Sequence, residues 1–94
     1  MPRILPREDI PGLLQTIPTW EYTEPCIERS IKFASYTDGV DFLNRVASLA
    51  EERNHHPEIT LSWRKLTIQL TTHSEGGVTD LDLEMAREIN GLEL

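Results

Sequence analysis

Residues 59–70 read ITLSWRKLTIQL, and this stretch decides the fold. Ile59, Leu61 and Trp63 alternate with Thr60 and Ser62, and then Leu66, Ile68 and Leu70 alternate with Thr67, Gln69 and Thr71. A period of two sends successive side chains to opposite faces of a strand. Two such runs meeting at Arg64-Lys65 predict a β-hairpin with one apolar and one polar side. Parallel sheets are covered on both faces and read as unbroken apolar runs, so the alternation predicts an antiparallel sheet with a single buried face.

The same pattern recurs upstream. From Cys26 to Ala34, Ile27, Ile31 and Phe33 oppose Glu28, Ser30 and Lys32, with Arg29 interrupting the apolar set near a strand end. Trp20 to Thr23 predicts a short strand ended by Glu24-Pro25. Before it, Ile10, Leu13, Leu14 and Ile17 fall at helical spacing, within a helix that Pro11 keeps short and Pro18 ends. Thr37 is read as the N-cap of the longest helix, whose apolar stripe is Val40, Leu43, Val46, Ala47 and Ala50, widened by Phe42 and Leu49. That helix must stop near Asn54, because Pro57 drives the residue before it out of the helical region. After Gly76-Gly77, Thr79 caps a last helix carrying Leu83, Met85, Ala86, Ile89 and Leu92. The order is α-β-β-α-β-β-α. The helices must all cover the one apolar face, giving an α+β two-layer sandwich of a four-stranded antiparallel sheet and three helices.

Ninety-four residues predict one domain, residues 1–94, with a modest core for which oligomerisation is expected. A net charge of −7 argues against a nucleic-acid surface, which needs basic residues to neutralise phosphates. Cys26 is the only cysteine, which excludes an internal disulfide and fits a reducing compartment. No apolar run approaches the roughly 20 residues of a membrane span, and residues 1–6 do not resemble a signal peptide. A cytoplasmic location and no membrane partner are expected.

The chemistry lies in three histidines, His55, His56 and His73, all at element ends. Imidazole both gives and takes protons near neutrality, so three of them suggest proton transfer. His55 and His56 leave the C-terminal end of the long helix, where the macrodipole favours positive charge. Pro57 directs the departing chain, and His73 ends the last strand. If both ends lie on one edge of the sheet, the rings converge. Gly76-Gly77 would let backbone approach a flat ligand, with backbone groups around Thr72, Ser74 and Glu75 available to bond its edge. Other readings stand beside this one. A His-His pair also serves as a solvated helix end, and three histidines can hold zinc, though adjacent ligands without an i, i+4 partner suit it poorly. Glu51, one turn before His55, is either a solvated face or an orienting partner for that ring. Thr79 and Asp82 have the spacing of a capping box, and Trp20 and Trp63 suit a core or an interface. The residues alone reach a small acid-base enzyme or a ligand-binding module.

Taken together, Glu51-x-x-x-His55-His56-Pro57, Trp63, Leu70-x-Thr72-His73, Gly77-Val78-Thr79-x-x-Asp82 and Ala86, with Trp20 upstream, resemble the pterin-4a-carbinolamine dehydratases. The resemblance runs from about Ile10 to the C-terminus. It implies dehydration of 4a-hydroxytetrahydropterin to quinonoid dihydropterin, as in tetrahydrobiopterin recycling. His55, His56 and His73 would be the catalytic set, with His56 and His73 the essential pair. Pro57, Thr72, Ser74 and Glu75 would contact substrate, supported by Glu51, Trp20 and Asp82. No metal or organic cofactor is implied. A homo-oligomer, dimer or tetramer, is implied, built on a symmetric dimer joined through sheet edges. Relatives that act as dimerisation cofactors or carboxylase assembly modules supply the alternative, a non-catalytic protein-binding domain. Two positions depart from the family: Asn54, where several members have Asp, and Arg64, where Asn is common.

Overall fold

Four strands form one antiparallel sheet: β1 (Glu21–Thr23), β2 (Cys26–Lys32), β3 (Glu58–Ser62) and β4 (Lys65–Leu70), in the spatial order β1-β2-β4-β3. The computed structural model describes residues 2–92. The hairpin read from residues 59–70 is β3 and β4, with Ile59 opposite Ile68 and Leu61 opposite Leu66. β2 crosses to the other side of β4, pairing Ile27 with Leu70 and Ile31 with Leu66. On the covered face Ile27, Leu66, Ile68 and Leu70 are fully buried. Truncating any one to alanine is expected to cost about 2–5 kcal/mol.

Three helical segments cover this face. The first is broken into a 3-10 turn at Arg7–Asp9, a single α turn α1 (Ile10–Leu13) and a second 3-10 turn at Leu14–Thr16. Pro11 sits in the first turn of α1, where its missing N–H leaves no helical bond unmade. α2 spans Tyr36–Arg53 and α3 spans Asp80–Asn90. Leu83, Met85, Ala86 and Ile89 of α3 are buried as expected, with Leu92 packed at the rim.

The structure departs from the sequence pattern at several residues. The N-cap of α2 is Ser35, whose hydroxyl accepts from the Asp38 N–H at 3.1 Å, and Thr37 lies inside the first turn. The buried stripe of α2 is Phe42, Val46, Leu49 and Ala50, while Ala47 is exposed and Val40 and Leu43 are half-buried. Phe42 and Leu49, read as widening the stripe, therefore belong to its buried centre. Gly39 is buried because α2 comes very close to the sheet there. A Cβ would sit 3.0 Å from Leu61 Cδ1. Arg29 lies mid-strand, not at an end. Its guanidinium reaches out to Asn90 Oδ1 at 2.6 Å while its stem lies along the core, the usual solution for a long cation on an apolar face. Trp63 is 71% exposed at the hairpin tip, with the Arg64 guanidinium 4.2 Å over its ring, and so is not core.

Candidate active site

The end of α2 fixes the first two histidines. Asn54 adopts the left-handed conformation (φ 50°), the commonest such residue after glycine. Its N–H donates to Glu51 O and the His55 N–H donates to Ala50 O at 3.1 Å. These two bonds make a Schellman motif, which turns the chain sharply and aims consecutive histidines in different directions. Asn54 thus serves the backbone turn, a role its left-handed propensity suits.

His55 turns inward. Its ring Nε2 lies 2.6 Å from Asp82 Oδ1, with the His55 side chain 13% exposed and that of Asp82 fully buried. A carboxylate only accepts, so His55 donates through Nε2 and keeps Nδ1 for other work. Asp82 Oδ2 accepts from the Thr79 N–H at 2.8 Å and from the Thr72 hydroxyl at 2.9 Å. With its proton committed to Asp82, Thr72 Oγ1 must accept from the Thr79 hydroxyl 2.7 Å away. Thr79 Oγ1 in turn accepts from the Leu81 N–H. Thr72 and Thr79 are also buried, and among the described residues no buried side-chain polar atom is left without a partner. The capping box read from Thr79 and Asp82 is present. Spacing alone did not reveal that the same carboxylate also holds His55.

Thr72 immediately precedes His73, so this network ties the end of α2 to the segment that carries the third histidine. His73 opens a 3-10 turn, His73–Glu75, closed by Gly76 at φ 76°. The Thr72 N–H donates to Gly77 O, and Thr72 O accepts from the N–H groups of Glu75 and Gly76. Thr72 is therefore engaged inward through side chain and backbone alike. The glycine pair shapes the turn: Gly76 supplies the positive φ, and Gly77 packs against Ile4. His73 and Ser74 are exposed, Glu75 is half-buried, and the Ser74 hydroxyl points to Glu75 Oε2 at 3.4 Å.

His56 turns outward. Its Nε2 pairs with Glu51 Oε2 at 2.5 Å, with both side chains largely exposed. Glu51 thus partners His56, not His55 one turn on, because the Schellman turn carries residue 56 back past the last helical turn. Pro57 follows, half-buried. Trp20 is buried, and its indole N–H donates to Asn90 Oδ1 at 2.9 Å. Asn90 is the last residue of α3 and Asp82 lies in its first turn, so Trp20 anchors the other end of that helix and does not join the histidines. Arg53 and Glu88 form a two-point ion pair that clamps the last turn of α2 to α3. The large cleft along the N-terminal segment, about 760 Å³ and lined by Arg3, Ile4, Glu8 and Leu13, contains none of the histidines. Among the described residues no helix is long and apolar enough to cross a membrane.

The chain as a whole has relatives. A protein of Mycobacterium avium (strain 104) with the provisional name pterin-4-alpha-carbinolamine dehydratase is 47% identical over 89 residues, covering 95% of each chain. A similarly named protein of Mycolicibacterium smegmatis is 42% identical and covers 93% of each. Among solved structures, a Brucella melitensis protein described as a transcriptional coactivator/pterin dehydratase superposes with a TM-score of 0.87 at 33% identity, covering 95% of this chain and 97% of that one. A pterin dehydratase-like protein described as a RuBisCO assembly factor in the alpha-carboxysome shares the fold, with a TM-score of 0.62 and 23% identity over 77% of this chain and 83% of that one. The family model for pterin 4 alpha carbinolamine dehydratase matches residues 3–92, and the chain belongs to that family.

Proposed function

We propose that this protein is a hydro-lyase that converts 4a-hydroxytetrahydropterin to quinonoid dihydropterin, with His55, His56 and His73 as its catalytic set. One observation carries the reading: the buried Asp82 carboxylate joins the His55 ring to Thr72, the residue before His73. A buried charge with three donors is an expensive arrangement to maintain for helix capping alone, and it fits the positioning of a reacting imidazole.

The elimination breaks the C4a–O bond and forms the C4a=N5 double bond. One proton goes to the departing hydroxyl, which leaves as water, and one comes off N5. The balance is closed without a redox partner. His56 and His73, both exposed, are assigned the two proton transfers, one ring as acid and the other as base. His55, held through Nε2, offers Nδ1 to the substrate as a fixed orienting group. The pterin is placed beside Pro57, with the turn at Ser74 and Glu75 meeting its edge, and the role of Thr72 is to support His55. Glu51 orients His56.

His56→Ala and His73→Ala are each expected to lower the dehydration rate by about 10²-fold, the scale for losing a general acid or base, with folding unchanged. Rates are compared after subtracting the uncatalysed reaction. Near-wild-type turnover in both variants would overturn the assignment. The alternative, a non-catalytic assembly module, predicts wild-type protein that binds a partner and leaves the carbinolamine to decay at its uncatalysed rate. The same assay separates the two.

We also infer a homo-oligomer of two-fold symmetry. β1 and β3 leave the sheet with two open edges, and unpaired edges invite strand pairing. Light scattering giving 10.8 kDa, the mass of one chain, across the dilution range would refute it.

A further inference from the structure

The face of the sheet turned away from the helices is ordered by charge. Register places Glu21, Glu28, Gln69 and Glu58 side by side across all four strands. Two residues further along lie Ser30, Thr67 and Thr60, with the Ser30 and Thr67 hydroxyls 3.1 Å apart. Two residues further again come Lys32, Lys65 and Ser62. Each of these positions alternates with the core-facing residues, which puts all three rows on the uncovered side.

Both outer rows set like charges directly opposite each other across strands: Glu21 faces Glu28, and Lys32 faces Lys65. Such pairs destabilise a sheet unless something neutralises them. Within the described chain nothing does. No carboxylate pairs with either lysine, and no cation pairs with Glu21 or Glu58. Glu28 accepts only from the Gln69 amide, at 2.7 Å. Burial lifts the Cys26 thiol above its ordinary value, and the buried Asp82, followed by Glu28 and Glu58 of the acidic row, raises it further.

The two charged rows lie about 13 Å apart at 3.3 Å per residue, with the hydroxyl row midway between them. That spacing makes the face complementary to itself. A two-fold axis along the hydroxyl row lays the lysine row of one copy over the acidic row of another, and the reverse in the same contact. Lys32 then meets Glu28 of the second copy, and Lys65 meets the Gln69–Glu58 end of the row. We propose that this open face docks onto the same face of a second copy of the chain. Exposed ion pairs contribute little each, so the association is weak and salt-sensitive, adding to whatever the sheet edges form. The proposal does not rest on the dehydratase reading.

Sedimentation velocity on the full chain, from micromolar to millimolar concentration, tests it with two double variants confined to the central strands. Lys32→Glu/Lys65→Glu makes the face uniformly acidic, and Glu28→Lys/Gln69→Lys makes its central strands basic. Wild type is expected to show concentration-dependent association at low salt that disappears near 0.5 M NaCl, where the Debye length is about 4 Å. Each variant alone should lose it by about tenfold or more, because like charges then face one another. An equimolar mixture of the two should associate at least as tightly as wild type. Circular dichroism of each variant checks folding, and the rescue by mixing separates a lost contact from a lost fold. Wild type that gains no mass at low salt, variants that associate like wild type, or a mixture that fails to recover would each overturn the proposal. Capture of polyglutamate on the lysine row without self-association would overturn it too, and would give the face to an acidic partner.

Discussion

Removing the Asp82 carboxylate separates its two jobs. In Asp82→Ala the Thr79 N–H, the Thr72 hydroxyl and His55 Nε2 all lose their acceptor in a fully buried position. Taking one partner from a buried charged network costs about 3–5 kcal/mol. For a domain of this size each kcal/mol lowers the melting temperature by about 4–8 °C, so a fall of at least 12 °C or so is expected. Asp82→Asn is the sharper probe. Its single carbonyl oxygen can take the place of Oδ2 and keep both threonine-side donors, which leaves the amide facing His55. An amide donates, so the ring must give up the proton on Nε2 and carry it on Nδ1 instead. Stability should fall by only about 1–2 kcal/mol, the scale of one altered hydrogen bond to a charged group. Dehydration should fall tenfold or more, since a reversed tautomer is known to cost as much as about 10⁴ where the histidine is itself the base. His55→Ala should make the Asn substitution nearly silent in activity. Differential scanning calorimetry and the dehydration assay read the two effects separately. A melting temperature for Asp82→Ala within a few degrees of wild type would refute the network as a stabilising unit. Full additivity of Asp82→Asn and His55→Ala in rate would refute the claim that Asp82 acts through His55.

Asn54→Gly should leave stability unchanged or raise it slightly, while Asn54→Ala should lose about 1 kcal/mol by forcing a Cβ without a compensating side chain into the left-handed region. Urea midpoints of the two variants check this, and equal values would show that the turn carries no conformational demand. The Glu88 carboxyl is held below its ordinary range, chiefly by its hydrogen bonds from Arg53. A depressed carboxyl contributes stability that is present above the unfolded pKa, about 4.3, and is lost as pH falls through the folded value. The stability gap between wild type and Glu88→Gln should therefore be open at pH 7 and close in strong acid. A gap independent of pH would assign the effect to packing.

The fold was legible where one side of the chain is buried and the other is wet. Residues 59–70 could alternate in only one register, since a one-residue slip would turn Leu66, Ile68 and Leu70 out to water. The long helix was legible in extent but not in rotation. Val40 and Ala47 share the helical period with Phe42 and Leu49, and periodicity cannot say which of two adjoining stripes faces the sheet. Packing chose the larger side chains. Its start was misplaced for a related reason: Ser35 and Thr37 are both hydroxyls near the first turn, and only backbone geometry shows whose oxygen reaches an unbonded N–H. Arg29 read as a strand end because a charge on an apolar face looks like a terminus. Asn90, sixty-one residues away, is what lets it stay mid-strand.

The site followed the same division. The three histidines and the motif around them can be found by spacing, because Asn54, Pro57 and Thr79 punctuate the chain locally. The support beneath them cannot, since Asp82 lies twenty-seven residues from His55 and presents only a capping signature in sequence. The local signature was correct and incomplete. One carboxylate oxygen serves the helix start and the other serves the imidazole, and a capping box uses only the first. A carboxylate at N3 of a helix is therefore worth checking for its second oxygen wherever that helix begins beside another element's end. In this fold the N-terminus of α3 meets the C-terminus of α2. The helix that presents His55 and the helix that positions it are joined at that buried carboxylate, beside the Arg53–Glu88 clamp.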